Sequence, residues 1–147
     1  MKLKVLIADK FPDRYINELK EAELEVIYSP SLGEKDLVEA AKDVDIIVVR
    51  STVVNEETIE NADHLSLIIR AGAGVNNIKI AAANKKGVYV ANCPGKNSIA
   101  VAELAVGLMI ALDRRIPANV SDFNNGVWNK AEYSKAEGLY GKTLGLI

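Results

Sequence analysis

Five short runs of apolar, largely β-branched residues alternate with amphipathic segments along the first part of the chain. The runs predict strands at residues 3–8, 24–28, 45–50, 65–70 and 88–91. The segments between them predict helices over residues 13–22, from 31 or 33 to 41, from 55 to 59 and from 78 to 86. Because strands and helices alternate, the pattern is typical of a parallel sheet with crossover helices.

The third apolar run and the residues after it indicate how the sheet is built. Residues 46–49 are all apolar, which indicates a strand buried on both faces and therefore in the middle of the sheet. Asn55 is placed to cap the next helix, with Glu56 and Glu57 in the first turn, where the helix dipole favours acids. Five strands with four helices between them predict an α/β fold, a flavodoxin-like, doubly wound parallel sheet that binds ligands beyond the carboxyl ends of its strands.

A different pattern begins after Pro94 and Gly95. Residues 97–115 predict one long helix that is apolar nearly all round, with Ile99, Val101, Leu104, Val106, Leu108, Met109, Ile110 and Leu112 among its side chains. Such a helix must be buried, and since the strands already have covering helices, we expect its partner to be another domain or another subunit. Pro117 is expected to end this helix, and a polar helical stretch then leads to Gly126.

The last residues predict the beginning of a further element. Residues 141–147 are expected to form a strand that the end of the chain cuts short. We therefore expect two regions, a flavodoxin-like domain over residues 1–94 and the long helix with the start of a second domain over residues 95–147.

Composition and charge narrow the classes of function. The 147 residues carry 18 basic and 20 acidic side chains, so no excess of positive charge favours nucleic acid or an anionic membrane. The one cysteine, Cys93, excludes an intramolecular disulfide and fits a reducing compartment. The first apolar run is too short for a secretory signal, so we expect a cytoplasmic protein, and we predict no metal site.

Several segments in a fixed order carry a family resemblance. They are Val49-Arg50-Ser51, Arg70 to Ile78, Asn92 to Ser98 running into Val101-Ala102-Glu103-Leu104, Gly126-Val127-Trp128 and Tyr140 to Ile147. In order and spacing they resemble the D-2-hydroxyacid dehydrogenases, over essentially the whole chain. The resemblance implies an oxidoreductase in which residues 1–94 bind substrate, while residues 95–147 form interdomain or dimerisation helices and the first strand of a Rossmann domain for NAD.

The resemblance places a substrate phosphate near Arg50, Ser51 and Asn97. The matching residues lie near the phosphate in members of the family that oxidise 3-phosphoglycerate to 3-phosphohydroxypyruvate in serine biosynthesis. A guanidinium offers a phosphate a planar fork of donors, and each charge-assisted hydrogen bond contributes about 1.5–3 kcal/mol. Alternatively, Arg50 is an ion-paired residue at the end of a strand. Asn97 can also serve as the N-cap of the long helix, with or without a role at the phosphate.

A loop of small residues, Gly72-Ala73-Gly74, follows the fourth predicted strand. Small side chains let a ligand approach the backbone, whose N–H groups can hold a carboxylate. The resemblance implies that the amides of Ala73 and Gly74 bind the substrate carboxylate. The alternative is a tight turn without a ligand, in which glycine provides a positive φ. The loop does not complete a Gly-x-Gly-x-x-Gly motif, because residue 77 is asparagine.

No residue of this chain is predicted to be catalytic. By resemblance, the histidine base, the carboxylate that tunes it, the arginine that polarises the carbonyl and the NAD fingerprint all follow Ile147. His64, the one histidine, is predicted to lie on the surface. We therefore expect neither turnover nor tight NAD binding from these residues alone. The apolar helix also predicts self-association, as a homodimer or larger homo-oligomer, or poor order in the last residues.

Three other functions stay open. A glyoxylate or hydroxypyruvate reductase of the same family would not need Arg50 for a phosphate. A phospho-receiver signalling module would carry an aspartate where the third strand ends, whereas this chain has Arg50 and Ser51 there. A plain binding or scaffold domain would show no thermal stabilisation by anions.

Overall fold

The computed structural model describes residues 2–146, and the chain divides into two compact units, Met1–Lys96 and Asn97–Ile147. The first unit contains, in chain order, β1 (Lys4–Ile7), α1 (Asp13–Glu21), β2 (Glu25–Tyr28), α2 (Glu34–Ala40), β3 (Ile46–Val49), α3 (Glu56–Asn61), β4 (Leu67–Arg70), α4 (Ile80–Lys86) and β5 (Tyr89–Asn92). The second unit contains α5 (Ser98–Asp113), α6 (Ile116–Asn124) and α7 (Lys130–Tyr133). Each strand overlaps the apolar run that predicted it.

The strands form one parallel sheet in the order β2-β1-β3-β4-β5. β1 lies between β2 and β3, with Val5 paired to Val26 on one side and to Ile46 on the other. The strand order reverses between β1 and β3, and in doubly wound sheets a crevice opens at the carboxyl ends of the two strands at such a point. The predicted flavodoxin-like sheet is confirmed, and Ile47 and Val49 of the central β3 are fully buried.

Helices cover the two faces of this sheet unequally. On one face, apolar side chains of α2, α3 and α4 pack against the strands in a cluster that includes Leu6, Leu37, Ile47, Ile59, Ile68 and Ala83. On the other face, Ile16 of α1 packs with Val5, Ile7 and Val48. The central strands are therefore buried on both sides, which explains their uninterrupted apolar sequence.

Local signals set several helix ends. Asn55 caps α3 as predicted, because its Oδ1 accepts hydrogen bonds from the backbone N–H and the hydroxyl of Thr58, at 2.8 and 2.9 Å. Gly87 ends α4 with a φ of 78°, a left-handed conformation that glycine adopts without strain. α4 begins later than predicted, because Ile78 forms a parallel bridge with Val54 instead of a first helical turn.

Lys86, the last residue of α4, closes the end of α3. Its Nζ donates hydrogen bonds to the carbonyl oxygens of Ile59, Glu60 and Ala62, at 2.7, 2.9 and 2.8 Å. Lys86→Met keeps an apolar stem but leaves three carbonyls without this donor, so we expect the free energy of unfolding to fall by about 2 kcal/mol. Urea unfolding followed by circular dichroism measures this loss.

Lys85→Met is the matched control for that experiment. Lys85 forms an exposed ion pair with Glu60, with 3.6 Å between the charged atoms. Exposed pairs contribute about 0–1 kcal/mol, so this variant should unfold close to the wild-type urea concentration. Equal losses of stability in the Lys85 and Lys86 variants would contradict the role assigned to Lys86.

The second unit begins with the predicted long helix. α5 spans Ser98–Asp113, and none of its side chains is buried among residues 2–146; Ile99 and Leu112 are 78% and 81% exposed. Burial of this helix against another domain or subunit therefore stays a prediction. Within the same residues, no helix combines the length and the apolar character needed to cross a bilayer.

The break between α5 and α6 differs from the prediction. α5 ends at Asp113, and Arg115 has a φ of 51°, which turns the chain into α6. Pro117 lies in the first turn of α6, where its missing N–H would have no helical partner in any case. The prediction that Pro117 ends the long helix is therefore wrong, since it helps to begin the next one.

Ionic contacts tie α7 to α6. The guanidinium of Arg115 donates to Oε1 of Glu132 at 2.7 Å, and Nζ of Lys135 donates to Oε2 at 2.7 Å. The hydrogen bonds from Lys135 and Arg115 lower the pKa of Glu132 to about 2. The hydroxyl of Tyr133 donates to Asp122 at 2.6 Å, and this bond raises the pKa of Tyr133. These contacts are structural links within the second unit.

The strand predicted over residues 141–147 is not found in the described part of that range. Residues 142–146 belong to neither a strand nor a helix, and Ile147 lies outside the described residues. A strand needs a neighbour that pairs its backbone N–H and C=O groups, and the described part of the second unit supplies only helices and connecting segments. The first strand of a Rossmann domain is therefore not confirmed.

Candidate functional site

The loops that follow β1, β3 and β4 lie at one edge of the sheet. The strands are parallel, so their carboxyl ends share an edge, and Val49 of β3 is in register with Arg70 of β4. The turn of residues 50–52 therefore lies beside the loop of residues 71–77. Four of the five residues predicted to bind substrate come together here, namely Arg50, Ser51, Ala73 and Gly74.

A carboxylate from the β1 loop holds the turn after β3. Oδ2 of Asp9 accepts hydrogen bonds from the backbone N–H groups of Arg50, Ser51 and Thr52, at 2.7, 3.0 and 3.0 Å. Partial burial acts to raise the pKa of Asp9, but the three N–H donors together outweigh it, so the pKa lies below its ordinary value. The turn is fixed through its backbone, while the side chains of Arg50 and Ser51 are exposed.

Hydrogen bonds also join this turn to the loop after β4. Nδ2 of Asn77 donates to the carbonyl oxygen of Thr52 at 2.7 Å, and Nε of Arg70 donates to that of Arg50 at 3.1 Å. The N–H of Val54 donates to the carbonyl oxygen of Asn77 at 2.8 Å. The two loops therefore form one continuous surface.

A side chain packs closely against the glycine at position 72. Neither Gly72 nor Gly74 has a positive φ. A Cβ at Gly72 would lie 2.6 Å from Cζ of Arg70, so the Arg70 guanidinium rests directly against the glycine. The explanation of this loop as a turn that needs a positive φ is therefore wrong.

The loop after β4 presents free backbone donors. The N–H groups of Ala73 and Gly74 donate to no acceptor within residues 2–146, and both residues are exposed. The carbonyl oxygen of Ala73, by contrast, accepts a hydrogen bond from Nδ2 of Asn92 at 2.6 Å, which ties the loop to β5. Neighbouring N–H groups of this kind are suited to bind a carboxylate.

Two guanidinium groups stand at this edge without a carboxylate partner. Neither Arg50 nor Arg70 forms an ion pair with another residue of the 2–146 segment, so the ion-paired alternative for Arg50 finds no support there. Arg70 is a residue that the sequence did not single out. The available signal was a basic residue at the last position of a strand, directly before a loop of small residues. Both groups attract anions to this edge.

Two further residues considered in the sequence are Asn97 and His64. Asn97 belongs to the second unit and occupies the N-cap position of α5, where its side chain makes no capping hydrogen bond. Its role beside a substrate phosphate stays a prediction. His64 is exposed, as predicted, and precedes β4, so it lies at the amino edge of the sheet, opposite the two loops.

Comparison with known proteins gives consistent matches. Residues 5–141 match the model of the family described as D-isomer specific 2-hydroxyacid dehydrogenase, catalytic domain. The D-3-phosphoglycerate dehydrogenase of Methanocaldococcus jannaschii is 43% identical over 146 residues, which are 99% of this chain and 28% of that protein. The hydroxypyruvate reductase of Thermotoga maritima is 42% identical over 130 residues, which are 88% of this chain and 42% of that protein.

A solved structure extends the comparison to three dimensions. The NAD+-bound 3-phosphoglycerate dehydrogenase of Entamoeba histolytica has a TM-score of 0.69 and 34% sequence identity, over 78% of this chain and 40% of its own. The chain thus spans less than half the length of each of these relatives. Since the family model matches residues 5–141, which include both loops and all of the sheet except Lys4, the chain belongs to the D-isomer specific 2-hydroxyacid dehydrogenase family.

Proposed function

We propose that the full-length protein carrying these residues is an NAD-dependent D-3-phosphoglycerate dehydrogenase, which oxidises 3-phosphoglycerate to 3-phosphohydroxypyruvate in serine biosynthesis. The observation that carries the proposal is the exposed guanidinium of Arg50, which forms no ion pair within residues 2–146. It belongs to the same edge of the sheet as the N–H groups of Ala73 and Gly74, which donate to no acceptor in that range. The substrate has a phosphate at one end and a carboxylate at the other, and this edge offers donors suited to each. The 43% identity to a D-3-phosphoglycerate dehydrogenase supports the same substrate.

Each anionic end of the substrate has its own donors in this proposal. The guanidinium of Arg50 and the hydroxyl of Ser51 bind the phosphate, with about 1.5–3 kcal/mol from each charge-assisted hydrogen bond. The N–H groups of Ala73 and Gly74 bind the carboxylate. Asn97 is a further ligand of the phosphate by family resemblance. With both ends held, the hydroxyl-bearing carbon between them has a fixed orientation.

We assign no cofactor contact and no proton transfer to residues of this chain. NAD, when bound, supplies the acceptor for the hydride that leaves the hydroxyl-bearing carbon. Its pyrophosphate needs a glycine-rich turn, and the loop from Gly72 does not complete one, because residue 77 is asparagine. The one histidine, His64, lies at the edge of the sheet opposite Arg50. These residues alone should therefore bind substrate anions without turnover and without tight NAD binding.

Self-association is part of the proposal. The apolar side chains of α5 are exposed among the described residues, and a patch of this kind marks a surface that another domain or subunit covers. We propose a homodimer or larger homo-oligomer in the cytoplasm. In that assembly residues 1–94 serve as the substrate-binding domain, and residues 95–147 link it to the NAD-binding domain.

A comparison of substrates with the full-length protein tests the proposed function. With NAD in excess, kcat/KM for 3-phosphoglycerate should exceed that for D-glycerate, which lacks the phosphate, by at least about 100-fold, because two charge-assisted hydrogen bonds are lost. The absorbance of NADH gives both rates. Similar values for the two substrates would contradict the phosphate site.

The second candidate is a hydroxypyruvate or glyoxylate reductase. The 42% identity to the hydroxypyruvate reductase of Thermotoga maritima favours it. This candidate predicts efficient reduction of hydroxypyruvate or glyoxylate and no preference for a phosphorylated substrate. No thermal stabilisation by anions, together with no turnover of any of these compounds, would instead favour a plain binding or scaffold domain.

A further inference from the structure

We infer that Asp9 is a positioning residue for the substrate phosphate: its carboxylate occupies the backbone N–H groups of residues 50–52 and so directs the phosphate to the side chains of Arg50 and Ser51. The inference rests on the proposed function and adds to it a residue from a different loop. Asp9 follows β1, whereas the turn that it holds follows β3.

Three successive N–H groups converge on one oxygen of Asp9. Successive N–H groups on one side of a turn form a concave site that binds phosphate or other anions in many proteins. Here the site already holds an anion of the chain itself, since Oδ2 of Asp9 lies 2.7, 3.0 and 3.0 Å from the three nitrogens. A substrate phosphate cannot share these donors, because the carboxylate at this distance repels it.

The same hydrogen bonds keep the Asp9 carboxylate from forming an ion pair with the Arg50 guanidinium. A carboxylate close to an arginine ordinarily pairs with it, yet Asp9 and Arg50 form no ion pair within residues 2–146. The backbone donors hold the Asp9 carboxylate on the main-chain side of the turn. The guanidinium therefore remains exposed, and its charge is available to a ligand.

Asp9 also spans the point where the strand order reverses. The residues that it holds lie 41 to 43 positions later in the chain, in the turn after β3, the strand directly beside β1. The Asp9 carboxylate is charged at neutral pH, and its lowered pKa extends the charged state to more acidic conditions, so the link persists there too. Asp9 thereby fixes the position of the Arg50 backbone, while the long side chain of Arg50 makes the contact with substrate.

Asp9→Ala in the full-length protein tests the inference. We expect KM for 3-phosphoglycerate to rise about tenfold or more with less than about a threefold change in kcat, because a displaced phosphate contact weakens binding while the reacting groups are untouched. Added formate should enter the vacated N–H site and recover most of the lost KM. Asp9→Asn, which keeps an oxygen acceptor without the charge, should fall between wild type and Asp9→Ala.

Asp13→Ala is the control, because Asp13 is an exposed aspartate in the first turn of α1. The KM of this variant for 3-phosphoglycerate should equal that of the wild type. If Asp9→Ala does not fold, Asp9→Asn provides the measurement: the amide proton resonances of residues 50–52 should move upfield as KM rises. An unchanged KM in the Asp9 variants, or a raised KM that formate leaves unaltered, would overturn the inference and leave the proposed function intact. Failure of the wild-type protein to oxidise 3-phosphoglycerate would instead remove the proposed function, and with it the phosphate role of Asp9.

Discussion

Arg50→Ala in the full-length protein is expected to lower kcat/KM for 3-phosphoglycerate by about 100-fold or more, since paired charge-assisted hydrogen bonds to phosphate contribute about 1.5–3 kcal/mol each. Activity with glyoxylate, which has no phosphate, should change by less than about threefold. Arg50 is exposed and pairs with no carboxylate within residues 2–146, so its removal breaks no internal ion pair. Steady-state kinetics with the two substrates measures the difference.

Two further variants separate geometry from charge in that experiment. Arg50→Lys keeps the positive charge but loses the planar fork, so we expect it to recover only part of the lost activity. Lys85→Ala removes a positive charge from the last turn of α4, at the amino edge of the sheet, and should leave kcat/KM unchanged. Parallel losses with phosphorylated and unphosphorylated substrates would show that Arg50 does not recognise the phosphate.

Leu6→Ala is expected to lower the free energy of unfolding by about 3–4 kcal/mol, because it removes buried methyl groups and leaves a cavity. Leu6 is fully buried in β1 and belongs to the cluster formed with α2, α3 and α4. Strands on both sides hold β1 in register, so the surroundings cannot collapse far into the cavity. A domain is typically stable by about 5–15 kcal/mol, so this loss is a large part of the total.

Leu3→Ala provides the comparison within the same segment. Leu3 is 50% exposed and precedes β1, so its truncation should lower stability by about 1 kcal/mol or less. Urea unfolding of the two variants, with equal m-values, gives both losses directly. Equal destabilisation at positions 3 and 6 would mean that the core is not where the structure places it.

The apolar runs are sufficient to predict the sheet of the first unit. A strand buried on both faces needs β-branched and other apolar residues at every position, as in Ile46–Val49, and few other structures require that pattern. Helix caps act over a few residues, by a side chain at Asn55 and by a left-handed backbone at Gly87, so both could be assigned to helix ends from the sequence. The sequence predicted the fold class and the central position of the third strand, and the observed order β2-β1-β3-β4-β5 agrees with both.

The chemistry of the site was only partly predictable. Arg50 could be identified because it ends an apolar strand and matches a family motif. Asp9 could not, because the N–H groups that it binds lie 41 to 43 residues further along the chain, and no local pattern records such a contact. Arg70 had a local signal, as a basic residue at the end of a strand, but its contact with the Arg50 carbonyl depends on the pairing of two strands and could not be predicted locally.

The strand predicted over residues 141–147 is not confirmed, for a different reason. An apolar segment has the composition of a strand, but a strand also requires a neighbouring strand with which to form hydrogen bonds. The described part of the second unit contains only helices and connecting segments. Pro117 was likewise assigned to the wrong helix, because proline fits both the residues after one helix and the first turn of another.

The packing of Arg70 against Gly72 makes the position of the guanidinium depend on the size of residue 72. A side chain at position 72 would take the space of the guanidinium, whose Cζ lies 2.6 Å from where a Cβ would be. Arg70 would then have to leave the carbonyl oxygen of Arg50, to which it now donates. Because the contacting atoms are the far end of a flexible side chain, Arg70 can turn aside, so a larger residue 72 would cost the molecule this link between the two loops rather than its fold.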